Sequence, residues 1–313
     1  MPLCSLIQGT LLFWEVDQEV GHTMKPPRFQ YCAPQILDDA LALLERQGGE
    51  AKILAGGQSL VPLLNMRLAA PAYLIDINRL SELNYIQPED EYLAIGATVR
   101  QSQVERSALV QERHPLLIEA IRHIGHMQIR NRGTIVGSLV HADPAAELPA
   151  LLTCLGGSVL LQQNGGERLL KADVFFRGYL ETALEPQEMA VEVHFPWIDV
   201  RAGWAFLEFA RRAGDYALVG AAAVLTPGED GTCQRAQLAY SGVAGAPVRA
   251  RNIERLLVGS VLDERTLDEA AQLAQAIVSE DMSDIHATAD YRRVLVAELT
   301  RRVLQTAWAR RRG

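Results

Sequence analysis

An α+β fold in three parts is what this sequence predicts, and three observations carry the prediction. Residues 30–80 alternate helix, strand, glycine turn, helix and strand. From 81 to 199, short apolar strands continue to alternate with helical stretches. After 200, strand-like segments rich in small apolar residues are followed by two long amphipathic helices. Each part can bury one apolar face against its neighbours, which is the condition for a layered domain.

In the first part, residues 36–47 place Ile36, Ala40, Leu43 and Leu44 on one helical face, and Gly48–Gly49 end the helix. A short strand at 51–55 runs into Gly56 and Gly57. Leu60, Leu63, Leu64 and Leu68 then follow at helical spacing, with Pro62 in the first turn where proline is tolerated. Residues 73–77 form the second strand. The next part carries strands at 92–99, 158–163 and 191–196, with helices around 101–110 and 115–125. In the last part, 204–212 and 217–225 open the region and 236–243 alternates as a strand. Residues 264–278 and 291–309 are the long helices. The predicted boundaries are 24–80, 81–199 and 200–313. Residues 1–23 are an upstream extension, because the regular pattern begins near Met24.

Composition narrows the function. The 313 residues carry a net charge of −8, so a general nucleic-acid binder is disfavoured: phosphate neutralisation needs surplus Lys and Arg. Arg310, Arg311 and Arg312 are a basic helix end that suits the helix dipole. Cys4, Cys32, Cys154 and Cys233 contain no C-x-x-C pair, which supports neither a disulfide framework nor an iron–sulfur or zinc site. A reducing cytoplasm follows as the expected compartment. No apolar run is long enough for a membrane span, and the N-terminus has no basic residues ahead of its apolar patch, unlike a signal peptide.

Three segments carry chemistry. Ala55, Gly56, Gly57, Gln58 and Ser59 lie between a strand and a helix, where glycines admit a ligand to the backbone and helix-start N–H groups suit a diphosphate. A bare turn gives the same pattern, and the spacing matches neither a dinucleotide G-x-G-x-x-G nor a P-loop. Thr134, Ile135, Val136, Gly137 and Ser138 repeat the theme with hydroxyls, downstream of Arg130 and Arg132. Asp143 and Glu147 follow; a carboxylate there can accept hydrogen bonds from sugar hydroxyls, or Asp143 can cap a helix over 144–155. In the third segment Tyr216 sits between Asp215 and a run of small residues, able to lie against a flat ring or to serve as a strand aromatic. His123 and His126 are spaced as a metal pair would be, without an evident third ligand. Ser59 has no evident base and no G-x-S-x-G elbow surrounds it, so hydrolysis has no support.

In order, these segments resemble the flavoprotein (medium) subunits of carbon monoxide dehydrogenase and xanthine dehydrogenase-type molybdenum hydroxylases. The resemblance runs from MKPPRFQY (24–31) through AGGQS, QIRNRGTIVGS, HADPAAELPAL, FFRGYLETALEPQE (175–188) and RRAGDYA to YRRVLVAELTRR (291–302). It implies a PCMH-type FAD-binding fold of two lobes with a C-terminal sheet-and-helices domain. The family's A-G-G-(H/Q)-S and T-I-G-G-(N/S) loops wrap the FAD diphosphate, which maps that role onto Ala55–Ser59 and Thr134–Ser138. Asp143 and Glu147 are then expected at the sugars and Tyr216 beside the isoalloxazine. Val136 departs from the family's Gly-Gly. A β-branched residue does not hold φ > 0 easily, so the expectation is that Gly137 alone carries any unusual backbone.

The resemblance further implies non-covalent FAD here, with a molybdopterin large subunit and an iron–sulfur small subunit as partners in a dimer of heterotrimers. Electrons would pass from the partner's [2Fe–2S] clusters to FAD and on to an external acceptor. The substrate pocket would lie on another chain. Two alternatives remain: a self-sufficient PCMH-type flavin oxidase, which needs a larger substrate domain, and a scaffold subunit without FAD, for which Val136 is the only hint.

Overall fold

The computed structural model describes residues 25–312. The expected extension at 1–23 lies outside the described residues. The three parts of the chain build three separate principal sheets, and each cofactor-type segment sits on a connection between strands of one of them.

The first sheet is small and parallel: Tyr73–Asp76 lies between Gln30–Cys32 and Ala51–Leu54. Helix Leu37–Gln47 buries Ala40, Leu41, Leu43 and Leu44; of the predicted face Ala40, Leu43 and Leu44 are buried, whereas Ile36 is the exposed N-cap residue ahead of the first turn. Parallel strands need crossovers, and the second crossover, from Leu54 to Tyr73, contains the first glycine turn.

The second sheet has five antiparallel strands, in the order Ile86–Pro88, Tyr92–Gly96, Met189–Pro196, Ser158–Gln163 and Gly166–Lys171. Met189–Pro196 is its centre, and Val193 and Phe195 are fully buried there. Between the second and fourth of these strands run the helices Gln101–Arg106, Ala108–Arg113, Pro115–His123, Ile135–His141 and Glu147–Leu155.

The third sheet is antiparallel: Gly203–Ala210, Ala217–Pro227, Cys233–Ser241 and Val248–Arg249. Every residue of Ala217–Pro227 is buried. Its alternate side chains enter two different cores: Ala222 and Val224 join the core of the first two sheets, whereas Val219, Ala221, Ala223 and Leu225 join that of the C-terminal helices. Period-two alternation with both faces covered explains the run of small residues. Helix Ala289–Ala309, capped by the Thr288 hydroxyl, buries Arg292, Leu295, Val296, Leu299, Val303 and Leu304 on one stripe. Arg292 is only 4% exposed. It donates to the carbonyls of Met282 (2.9 Å), Leu218 and Gly242 (3.2 Å), and pairs with Asp284 at 2.8 Å.

Helix Glu147–Leu155 joins the halves. All nine of its residues are buried, and the Gln237 amide donates to the carbonyls of Cys154 and Leu155 at its C-terminal end. This helix corrects one expectation: it begins at Glu147 with Ala146 as its N-cap residue, so Asp143 is not its cap. Asp143 Oδ1 instead accepts the Ala145 N–H at 2.8 Å, a local side-chain turn that competes with helix formation.

Candidate functional site

Each glycine turn is shaped by contact with the other. Gly56 sits so close to the second turn that a Cβ would lie 2.6 Å from the Arg132 carbonyl oxygen and 2.8 Å from Gly133 Cα. Only glycine admits that approach. Gly57 has φ +72°, the left-handed conformation that turns the chain into helix Leu60–Asn65. Its carbonyl accepts the Val61 N–H at 3.1 Å, so the earlier N–H groups of this start have no acceptor within the helix. Gln58 is exposed and reaches back to the Gly56 carbonyl at 3.2 Å.

The second segment is a helix start and not an open loop. Thr134 is the N-cap of helix Ile135–His141, and its hydroxyl accepts the Gly137 N–H at 3.1 Å. Val136 is buried in the first turn, and neither Val136 nor Gly137 has positive φ. The expectation that Gly137 carries an unusual backbone is therefore wrong. Glycine is needed there because a Cβ would lie 2.5 Å from the Thr134 hydroxyl that caps the helix. The positive φ falls instead on Ala142, at the helix C-terminus just before Asp143.

Two residues that the sequence reading passed over brace the turns. The Asn78 amide donates to the Ala55 carbonyl at 2.9 Å and to Asp76, while Arg100 bonds both Asn78 Oδ1 and the Arg132 carbonyl. Asp76 also accepts the Tyr31 hydroxyl at 2.5 Å, and burial followed by that bond pushes the phenol up to about 12. Asn78 lies just past the central parallel strand and Arg100 just before a helix, positions that carry backbone–ligand or backbone–backbone contacts in many folds. No local motif marks them.

Asp143, Glu147 and Tyr216 form a second group. Tyr216 is 68% exposed at the end of the turn that follows strand Gly203–Ala210. Local desolvation, then the Asp143 and Glu147 carboxyls, raise its phenol, which puts Tyr216 near two carboxyls distant from it in sequence. Glu147 is only 8% exposed, and burial, reinforced by Glu208, pushes its carboxyl up to about 8. His123 and His126 do not form a metal pair. His123 Nδ1 lies 3.3 Å from Glu208 Oε1, and the His126 ring packs on Gly214. Among the described residues no cluster of His, Cys, Asp and Glu has the arrangement of a metal site. Arg130 is held by Glu105 at 3.1 Å and by the Ile124 carbonyl, so its role is structural.

A glycine-shaped double turn on an α+β frame, backed by a separate sheet-and-helix unit, defines a flavoprotein class. Residues 27–198 match the FAD-binding domain in molybdopterin dehydrogenase, and residues 204–307 match the CO dehydrogenase flavoprotein C-terminal domain. The chain belongs to the FAD-binding medium subunits of the molybdenum hydroxylases, an oxidoreductase family.

It is 40% identical to the 6-hydroxypseudooxynicotine dehydrogenase complex subunit alpha of Paenarthrobacter nicotinovorans, over 92% of this chain and 97% of that one. It is 38% identical to the carbon monoxide dehydrogenase medium chain of Hydrogenophaga pseudoflava, over 92% and 99%. The solved carbon monoxide dehydrogenase from Hydrogenophaga pseudoflava lacking the Mo-pyranopterin moiety matches with a TM-score of 0.88 and 39% identity. That match covers 92% of this chain and 99% of the other. No helix among the described residues is long and apolar enough to cross a membrane.

Proposed function

We propose that this chain is the electron-transfer subunit of a heterotrimeric molybdenum hydroxylase. It takes electrons from the [2Fe–2S] clusters of a small partner and passes them to an external acceptor, in a cytoplasmic dimer of heterotrimers. A large molybdopterin subunit would carry out the substrate chemistry. The observation that supports the reading is the mutual seating of the two glycine turns at Gly56, which sets the starts of helices Leu60–Asn65 and Ile135–His141 side by side, an arrangement suited to one diphosphate.

In this reading Ala55–Ser59 and Thr134–Ser138 hold the FAD diphosphate, Asp143 and Glu147 face the sugar portion, and Tyr216 lies beside the isoalloxazine. FAD, when bound, supplies the step between one-electron carriers and a two-electron acceptor. The chain's own residues bind it, orient it and set its electrostatic surroundings. The same assignment makes 24–80 and 81–199 the two lobes of the FAD-binding unit and 200–313 the C-terminal domain. The helical backbone at Val136 removes the hint that favoured a scaffold without FAD. Against a self-sufficient oxidase stands the use of the residues after 200 in a sheet and its covering helices.

The test is reduction of the isolated, FAD-loaded chain. Dithionite is expected to bleach the flavin, whereas carbon monoxide, a purine and an aldehyde are expected to leave it oxidised until both partner subunits are added. Turnover of any of these by the lone chain establishes the oxidase instead.

A further inference from the structure

His123 and Glu208 lie outside the residues assigned to FAD and open to solvent on one side, and they neighbour Glu147, which is assigned to the FAD sugar portion. A cleft of about 370 Å3 is lined by Arg122, His123, His126, Glu208, Arg212 and Gly214. It lies between the segment leading into the second glycine turn and the turn leading to Tyr216. At its base the Glu208 side chain is 6% exposed. Oε1 takes the His123 ring nitrogen at 3.3 Å, and Oε2 is buried without a hydrogen-bond partner. An orphaned carboxylate oxygen is costly to bury unless a donor visits it. Glu147, at the first turn of the helix that joins the two halves, is buried within electrostatic reach of Glu208.

We propose that Glu147, Glu208 and His123 form a proton port, which carries protons between solvent in the cleft and the cofactor side of the chain. The proposal rests on the electron-relay reading, because iron–sulfur clusters deliver electrons without protons. Two-electron reduction of FAD at neutral pH consumes at least one proton, FAD + 2e− + H+ → FADH−, with the partner's clusters as reductant. The port assigns delivery of that proton to this chain. Glu147 gives up its carboxyl proton on the cofactor side. The imidazolium of His123 returns one through Glu208, and water in the cleft reprotonates the imidazole. The unused Glu208 Oε2 is the atom such a transfer requires.

The surrounding charges fit this assignment. Facing Glu147 are Glu208 from strand Gly203–Ala210, His123 from helix Pro115–His123, and Asp143 and Tyr216 from their turns. Burial and the neighbouring carboxylates keep Glu147 a neutral acid at pH 7. The bond to Glu208, with Glu147 and Glu119 beyond it, raises His123 toward its charged form. Glu119 itself is engaged by Arg310 at 2.7 Å and by the Phe206 N–H, so it does not compete for the transferred proton. Arg122 and Arg212, on the cleft wall, supply fixed positive charge.

The experiment is infrared spectroscopy of the full chain at pH 7, with and without FAD. The wild type is expected to show the carbonyl stretch of a protonated carboxylic acid, which Glu147→Gln removes. After transfer to heavy water that band is expected to shift promptly, and Glu208→Gln or His123→Gln is expected to slow the shift about a hundredfold. With FAD bound, the midpoint potential of the wild type should change slope with pH near 8, and that of Glu147→Gln should not.

Absence of the carboxylic band, or exchange unaltered by both Glu208→Gln and His123→Gln, overturns the port. A chain that fails to hold FAD but shows the band and its dependence on Glu208 overturns the electron-relay reading and leaves the proton pathway standing. Circular dichroism identifies any variant that fails to fold, and Glu147→Asp, which keeps an acid, is expected to restore the band.

Discussion

Small residues dominate both the paired glycine turns and the strand Ala217–Pro227, for opposite reasons. At Gly56 the missing side chain lets two backbone segments, 77 positions apart at Gly133, approach to a distance no Cβ permits. Along Ala217–Pro227 the small side chains are themselves the packing: they fill two cores, one on each face of the strand. In the proposed reading the first arrangement leaves polar backbone available to a ligand, whereas the second seals it inside a ladder. A small-residue run therefore marks a binding turn only where its backbone hydrogen bonds remain open.

The largest effect is expected at the turns. Gly56→Ala forces the Arg132–Thr134 backbone away, so flavin loading should fall to near zero while the C-terminal sheet stays folded. Flavin absorbance after gel filtration, alongside circular dichroism, measures both. Full loading of a folded Gly56→Ala chain would break the contrast between the two regions.

The opposite substitution tests the sealed region. Arg292→Met strands the carbonyls of Leu218 and Gly242 and leaves Asp284 without its cation. Breaking such a buried, hydrogen-bonded charge costs about 3 kcal/mol, which urea denaturation would register. The FAD dissociation constant measured under native conditions should stay unchanged, since none of the hydrogen-bond partners of Arg292 belongs to either glycine turn.

Glu147 lies where the regions meet, and its effect depends on pH. Its carboxyl is raised to about 8 in the fold, against 4.5 ordinarily. The folded chain therefore binds more protons than the unfolded one across that window. The stability it confers is complete below about pH 4.5 and is lost as pH rises through about 8, at a rate of up to about 1.4 kcal/mol per pH unit. Glu147→Gln should flatten that decline in denaturation curves taken from pH 5 to 8. An unchanged slope would mean that Glu147 is ionised in the fold.

The smallest effect belongs to Tyr216. Its exposure predicts that Tyr216→Ala leaves Tm unaltered. Loss of an aromatic contact worth about 1 kcal/mol should weaken FAD binding several-fold, as fluorescence titration can show. Because no matched turn position offers a His or Cys, acid precipitation should release all flavin as free FAD.

Sequence by itself determined the main helices, many of the strands and the order of the cofactor-type segments, while strands such as Gln30–Cys32, Ile86–Pro88 and Gly166–Lys171 were not read from it. Periods of two and of 3.6 residues are local properties, so the helix face at Ala40, Leu43 and Leu44 could be read directly, as could a strand within 236–243, although that strand ends at Ser241 and is buried on both faces there. The turn at Gly56–Gly57 was legible for the same reason: a glycine pair between strand and helix is a local signal.

Only the tertiary structure decided what those segments touch. It placed Gly56 against Gly133, made Val136 a helical residue, and gave Asp143 a turn to stabilise in place of a helix to cap. It also brought Asn78 and Arg100 to the turns and paired His123 with Glu208, residues 85 positions apart with no shared motif. The physical reason is that hydrogen bonds and burial depend on distances in space. Residues that meet across sheets and crossovers leave no periodic trace along the chain.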